Sequence, residues 1–352
     1  MDFGFSADQL LLQKTVRDFL EGECSPEWVR GQWETDTGRS PAFWAQLAEI
    51  GIPGLIVSEA HGGLGMDETD LVLLLEEVGR IGLAEPIVST AVGTALLASL
   101  PEPDMAAAWL PKVAAGDAIL AIAHPQSPFV ADAHVADLLI AAAGDELHAL
   151  PPGAVKLEAQ QSNDGAQRLF RVSFEPSPAT RIAQGEDARL LIEAALDRGA
   201  VFSAAQALGV ADQLVKLAAD YAGQRVQFGV PIGSFQAVKH MLADVMVKTE
   251  YARSHVHRAG YSVAHATSAR SVDVSMAKIG ACEAALAAAR ASLQVHGAIG
   301  YTYEQDVHVW MKRAWSLDLA FGDSVFHRNR LCAGVIDRTI PAASFGYSPA
   351  GN

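Results

Sequence analysis

The chain has 352 residues, half of them hydrophobic and 19% charged, with a formal net charge of −15 at neutral pH. That length exceeds one compact core and predicts two or three subdomains of an ordinary globular protein, while the acidic balance argues against nucleic-acid binding, because no basic surplus exists to neutralise phosphates. Its cysteines, Cys24, Cys282 and Cys332, lie far apart in no metal-binding spacing, which suits a reducing, cytoplasmic setting.

In chain order, Ser6 is a natural cap for a helix over 6–24 whose apolar positions are Leu10, Leu11, Val16, Phe19 and Leu20. This amphipathic start carries acids early and does not read as a signal peptide. A helix over 41–50 follows, with Pro41 at its first position and Gly51 just past its end. The Gly-rich stretch "GIPGLIVSEAHGGLGMDETD" separates it from helices over 67–82 and 86–100. The uncharged run from Pro86 to Pro101 is too short to span a bilayer. Residues 1–116 therefore read as an N-terminal helical domain.

The texture changes at Asp117. "DAILAIAHPQ", "FVADAHVADLLIAAAGDELHAL", "GAVKLEAQ" and "QRLFRVSFEPSPATRIA" are short apolar runs cut by Pro, Gly and Asp, which predicts a small antiparallel β domain over 117–186. Long Ala-rich helices then follow over 187–223, 233–266, 269–296, 304–319 and 323–337. The expected fold is α+β, mainly α, ending in a four-helix-bundle-like domain over 187–352.

Near the end, "LDLAFGDSVFHRNRL" (317–331) sets Gly322, Asp323 and Ser324 beside His327, Arg328 and Arg330. A Gly-Asp-Ser triplet suggests a hydrolase nucleophile, but here it follows helices at the wrong end of the chain, and a serine's base comes from a distant segment. Asp323 or Ser324 as a helix N-cap fits better, leaving His327, Arg328 and Arg330 for an interface or a phosphate. His255 and His257, two residues apart, fall on different helix faces, and no metal site is expected.

Three stretches carry a stronger signal: "IGIPGLIVSEAHGGLG" (50–65), "YAGQRVQFGVPIGSFQAVKHMLADV" (221–245) and "QVHGAIGYTYE" (294–304). With the α–β–α order, they resemble the acyl-CoA dehydrogenase family of flavoproteins over nearly the whole length. The resemblance implies FAD as cofactor, an acyl-CoA substrate and electron-transfer flavoprotein as redox partner. It also implies a chemistry in which a buried glutamate removes the α-proton while the β-hydrogen leaves as hydride to the flavin. In the family, the positions of Arg225, Phe228, Gln236, Gln294, His296, Gly297, Ala298 and Gly300 reach across a subunit interface to the ADP half of FAD. The residue types agree: an arginine forks onto a pyrophosphate, glutamine amides suit an adenine edge, and glycines let backbone approach closely.

The chain departs from the family where the chemistry is done. The position of the glutamate holds Phe321, and the alternative position, counted back from Arg225, is Gly199. Asp323 is the nearest carboxylate in sequence, two residues on and shorter. The β domain keeps the Ala136-Asp137 landmark but lacks the family's polar and aromatic contacts to the flavin ring. Family members that act on steroids and other bulky acyl-CoAs include tetramers of two unlike subunits with half the usual flavins and bases. Three functions follow as alternatives: the base-less subunit of such a heteromer, paired with a homologous subunit; a self-sufficient homodimer of two copies using Asp323; or a non-redox CoA-ligand module.

Overall fold

The computed structural model describes residues 4–337, 339–341 and 343, so the outermost ends of both predicted terminal domains lie outside it. Three helices open the chain: α1 (Ala7–Glu23), α2 (Pro26–Trp33) and α3 (Pro41–Glu49). Each begins at a serine whose hydroxyl accepts a backbone N–H, Ser6 from Gln9, Ser25 from Trp28 and Ser40 from Phe43. Pro26 and Pro41 occupy first-turn positions, where a missing N–H costs nothing. The same Ser-Pro signal that marks α3 was present at Ser25-Pro26, and α2 is the helix it announces. Asp67 caps α4 (Glu68–Ile81), and α5 (Ile87–Ala98) and α6 (Asp104–Ala114) complete the helical segment.

Seven short strands follow: β1 (Leu120–Ala123), β2 (Val130–Ala131), β3 (Leu138–Ala143), β4 (Glu146–Leu150), β5 (Lys156–Gln160), β6 (Leu169–Ser173) and β7 (Arg181–Gln184). They form two sheets, ordered β1-β3-β4-β7 and β2-β6-β5. Pairing is antiparallel except between β1 and β3, which run parallel with Leu120 opposite Leu138. The exception has a topological cause. After β1 the chain crosses to the second sheet for β2 and returns to the first in its original direction. Ala121, Leu139, Ala141, Val130 and Leu150 belong to the buried cluster that joins the sheets.

The rest is helical: α7 (Gly185–Gln224), a hairpin of β8 (Val226–Gln227) and β9 (Val230–Pro231), then α8 (Gln236–Ala264), α9 (Arg270–His296), α10 (Val307–Leu319) and α11 (Ser324–Val335). All five expected helices are present. At 40 residues, α7 is about 60 Å long and is the axis on which the others pack. Small side chains make this possible: Ala200, Ala204, Ala207 and Ala211 on α7, and Ala277, Ala281, Ala284 and Ala288 on α9, have no exposed surface. Where α7 crosses α4, two glycines bring backbone against backbone. A Cβ on Gly209 would lie 1.8 Å from the Glu76 carbonyl oxygen, and one on Gly79 would lie 2.0 Å from that of Gln206.

Beside this crossing lies a buried charge network. Arg17 holds Glu77 in a fork at 2.6 and 2.8 Å, and Arg80 reaches Glu77 and Asp212 at 3.0 Å each. Arg253 on α8 joins Asp212 at 2.9 Å and also pairs with Glu76. Four helices are thereby tied together by groups that would be costly to bury singly.

Candidate functional site

Two regions concentrate unusual chemistry. The first is a cleft of about 640 Å³ where the start of α5, the loop at 161–167, α7 and the corner between α10 and α11 meet. Its frame is polar and rigid. Arg39 pairs with Asp132 and donates to the carbonyls of Gly38 and Ala166 at 2.7 and 3.0 Å. Asp164 accepts from Ser316 Oγ at 2.7 Å and faces Arg313 Nε at 3.3 Å.

The corner itself is built against the usual backbone preferences. Phe321 has a φ of 53°, which an L-residue adopts only under constraint, and Gly322, free to do so, follows at 93°. The constraint is visible. His327 Nε2 donates to the Phe321 carbonyl at 3.0 Å, and a Cβ on Gly322 would meet the Phe326 ring at 2.5 Å. Asp323 caps α11, accepting from the Phe326 N–H at 2.8 Å, and Ser324 Oγ donates to Asp318 at 2.6 Å. Replacing Asp323 with alanine is therefore expected to cost about 1 kcal/mol of stability, measurable by chemical denaturation, whereas asparagine, also a good cap, should cost little.

This arrangement disposes of the hydrolase, because Ser324 and His327 are bonded to other groups. It also corrects the expectation that His327 and Arg330 are free for an interface or a phosphate, whereas Arg328 stays exposed. His327 is fully buried, with Nδ1 at 3.2 Å from Ser275 Oγ, and burial, reinforced by Lys278, pushes its pKa down to about 4. Arg328 pairs with Glu283. Arg330 joins Arg270 in neutralising the buried Asp197, at 2.5 and 2.6 Å.

The corner brings together the two positions singled out for a base. A Cβ on Gly199 would lie 2.2 Å from Phe321 Cδ1, so the phenyl ring lies directly on the bare backbone of α7. His124 sits nearby, 6.4 Å between ring centroids. Burial lowers its pKa, and its nitrogens are engaged by the Gln126 N–H and the Ile192 carbonyl. Neither position nor this histidine offers a free proton acceptor.

The second region is an exposed patch at the far end of α7. Phe228 and Gly229 form the two-residue turn of the β8–β9 hairpin with φ of 54° and 81°, the combination that suits a tight hairpin. The turn thrusts Phe228 into solvent at 93% exposure. Arg225, Gln236, Gln294, Gly297 and Ala298 are also exposed, and Val295 packs with Ala218, Ala222 and Ile232 so that both motifs share one end of the bundle. The side chains of Arg225, Gln236 and Gln294 have no partner among the described residues. An unpaired guanidinium, two free amides and the open backbone at Gly297 (φ 66°) suit a diphosphate and an adenine edge. His296 and Gly300 instead lie buried. The His296 ring stacks on Tyr221 with centroids 4.4 Å apart, and Nδ1 donates to the Ser292 carbonyl at 2.8 Å. They support the patch from beneath. None of the patch residues lines the cleft.

Two cleft residues escaped the sequence reading, Glu85 and Gln206. Glu85 sits in "LAEPIV", which reads as an ordinary turn. Gln206 left one signal, a long polar side chain that with Ser203 interrupts the apolar run "FSAAQALGVA" on a helix otherwise buried at that level.

Among the described residues no helix is long and apolar enough to cross a membrane, and no His, Cys, Asp and Glu cluster could hold a metal ion. Comparison with known proteins is consistent across sequence and structure. Family models for the acyl-CoA dehydrogenase N-terminal and C-terminal domains match residues 6–117 and 189–336. Among curated proteins, the chain is 33% identical to acyl-CoA dehydrogenase IpdE2 of Mycolicibacterium smegmatis, over 88% of this chain and 93% of that one. The Mycobacterium tuberculosis IpdE2 is 31% identical, over 87% and 91%. Among solved structures, a chain of the ChsE4-ChsE5 complex from Mycobacterium tuberculosis superposes with a TM-score of 0.84 at 24% identity, covering 99% of this chain and all of that one. Sequence motifs, domain-model matches at both ends and the shared fold agree that this chain belongs to the acyl-CoA dehydrogenase family, whose members are FAD-dependent oxidoreductases.

Proposed function

We propose that this chain is the base-less subunit of a heteromeric acyl-CoA dehydrogenase. The observation that carries the reading is the contact of Phe321 with Gly199: both places where a glutamate could stand are occupied by apolar groups packed against each other. The partner is a homologous subunit that keeps the glutamate. Asp323, the base of the homodimer alternative, has its carboxylate committed to the Phe326 N–H.

This chain's own contribution is then the exposed patch. Arg225 holds the diphosphate, Gln236 and Gln294 address the adenosine, and Phe228 packs against it from the hairpin. The open backbone at Gly297 and Ala298 lets the group approach. Bound FAD supplies the hydride acceptor, and electron-transfer flavoprotein removes the electrons. The fold shared with a chain of the two-component ChsE4-ChsE5 complex supports a heteromeric enzyme, for which we propose a cytoplasmic setting. A division into three domains at residues 116 and 186 belongs to the same reading.

The test is to purify the chain alone and together with a family member that carries the glutamate, then record flavin content and dye-linked acyl-CoA oxidation. The chain alone should be colourless and inactive, and the pair yellow and active. Stoichiometric flavin with turnover from the chain alone would sink the proposal.

A further inference from the structure

Where the end of α2 meets the start of α10, the chain buries polar atoms that it does not pair. Trp33 Nε1 and both ring nitrogens of His308 are buried without a hydrogen-bond partner among the described residues. His308 is only 7% exposed. Burial, reinforced by the charges of Lys312 and Arg30, pushes its pKa down to about 4. At neutral pH it is therefore an uncharged ring with one N–H donor and one lone pair, both unused. Leaving such groups unpaired is costly, and each calls for an explanation.

The same spot holds a positive charge with no counter-ion. Lys312 follows His308 by one turn of α10 and lines the cleft. Its ammonium lies 5.5 Å from the centroid of the Trp33 ring and 4.8 Å from that of Tyr303. Its polar partner among the described residues is the Tyr303 hydroxyl, at 3.4 Å. The two rings hold the cation without cancelling it. Nearby acids are already taken, Asp306 by Arg30 and Asp164 by Arg313. The His308 ring meets Trp33 and Tyr303 edge-on, with centroids 5.8 and 4.7 Å apart. Trp33 is the fixed wall, since a Cβ on Gly165 would lie 2.4 Å from its ring. Tyr303, 76% exposed, rests on the cluster from outside as a cover.

We propose that Trp33, His308 and Lys312 form a site for the phosphate of a nucleotide at the edge of the cleft, covered by the movable ring of Tyr303. The donors match: an ammonium, an indole N–H and an imidazole N–H come from three side chains, and a phosphate offers an oxygen to each. A planar carboxylate has only two oxygens to divide among them. A ribose hydroxyl beside the phosphate can donate to the imidazole nitrogen that remains. Swung outward, Tyr303 can stack on the base, and Tyr301, 78% exposed, stands two residues away. CoA and FAD both carry this chemistry. The inference goes beyond the subunit role and stands or falls separately from it.

The experiment is isothermal titration of the full-length chain with CoA, FAD and inorganic phosphate in turn. At least one nucleotide should bind, roughly tenfold more tightly than phosphate, and the preference between CoA and FAD identifies the source. Lys312→Met, which removes the charge and keeps the length, should weaken that binding about tenfold or more. His308→Phe should weaken it too, yet raise the thermal midpoint of the free chain by roughly 2 °C, because two unpaired nitrogens are gone. Misfolding could not produce that combination. FAD held by the exposed patch instead would be weakened by Arg225→Ala and untouched by these variants, which would overturn the inference for FAD. No binding of any probe, or binding that Lys312→Met and His308→Phe both leave unchanged, would overturn it altogether and leave the nitrogens to an ordered water.

Discussion

Arg225→Ala in the assembled complex is expected to weaken FAD retention by roughly ten- to a hundredfold, the effect of removing a charged, forked hydrogen-bond donor. The loss should appear as flavin released on gel filtration, with the complex itself intact. Arg225 stands at the end of α7 in extended conformation, exposed and without a carboxylate partner among the described residues. Removing its side chain therefore breaks nothing inside the chain, and loss of flavin would report on the ligand alone. Arg225→Lys keeps the charge but not the fork and should fall between the two. A complex of the alanine variant that holds FAD as tightly as the unmodified one would remove the patch from the cofactor site.

Gly209→Val is expected to cost more than about 4 kcal/mol and to leave little folded protein at growth temperature, because overpacking against backbone has no soft escape. The obstacle to a Cβ here is the α4 main chain, the Glu76 carbonyl at 1.8 Å and the Arg80 N–H nitrogen at 2.5 Å. Helices α4 and α7 would have to separate, and the nearby network of Glu76, Glu77, Arg80, Asp212 and Arg253 would be pulled apart with them. Even Gly209→Ala should destabilise, although alanine is the better helix former by about 1 kcal/mol. Gly22 in α1, with open space around it, supplies the control. There the same change to alanine should stabilise by about 0.5–1 kcal/mol. Thermal unfolding of the three variants gives opposite signs if the crossing is as tight as described, and like signs if it is not.

Much of the architecture was legible because its causes are local. Pro41 with Gly51, the Ser6 cap and the long alanine-rich runs each announce an element from within a few residues. What stayed hidden depends on partners far away in sequence. Nothing near Glu76 and Glu77 reveals that they are buried, since Arg17 and Arg253 lie some 60 and 177 residues off. The parallel pairing of β1 with β3 arises from a detour through another sheet. His327 looked available because its partners, Ser275 and the Phe321 carbonyl, come from another helix and from a strained corner. In the site, the residue types of the exposed patch could be read in order, whereas Glu85 and Gln206 gain meaning only from the cavity that joins them.

The contact of Phe321 with Gly199 has a consequence for descent. A glutamate cannot appear at 199 while the phenyl ring is present, because even its first carbon would lie 2.2 Å from that ring. Glutamate at 321 would instead place its carboxylate where the ring now covers the bare backbone of α7. Recovering a proton acceptor at 199 thus requires a prior change at 321, whereas at 321 itself a single substitution suffices. Under the proposed subunit role, the ring that fills the place of the base also bars its return at 199, so dependence on a partner is built into the packing of this corner.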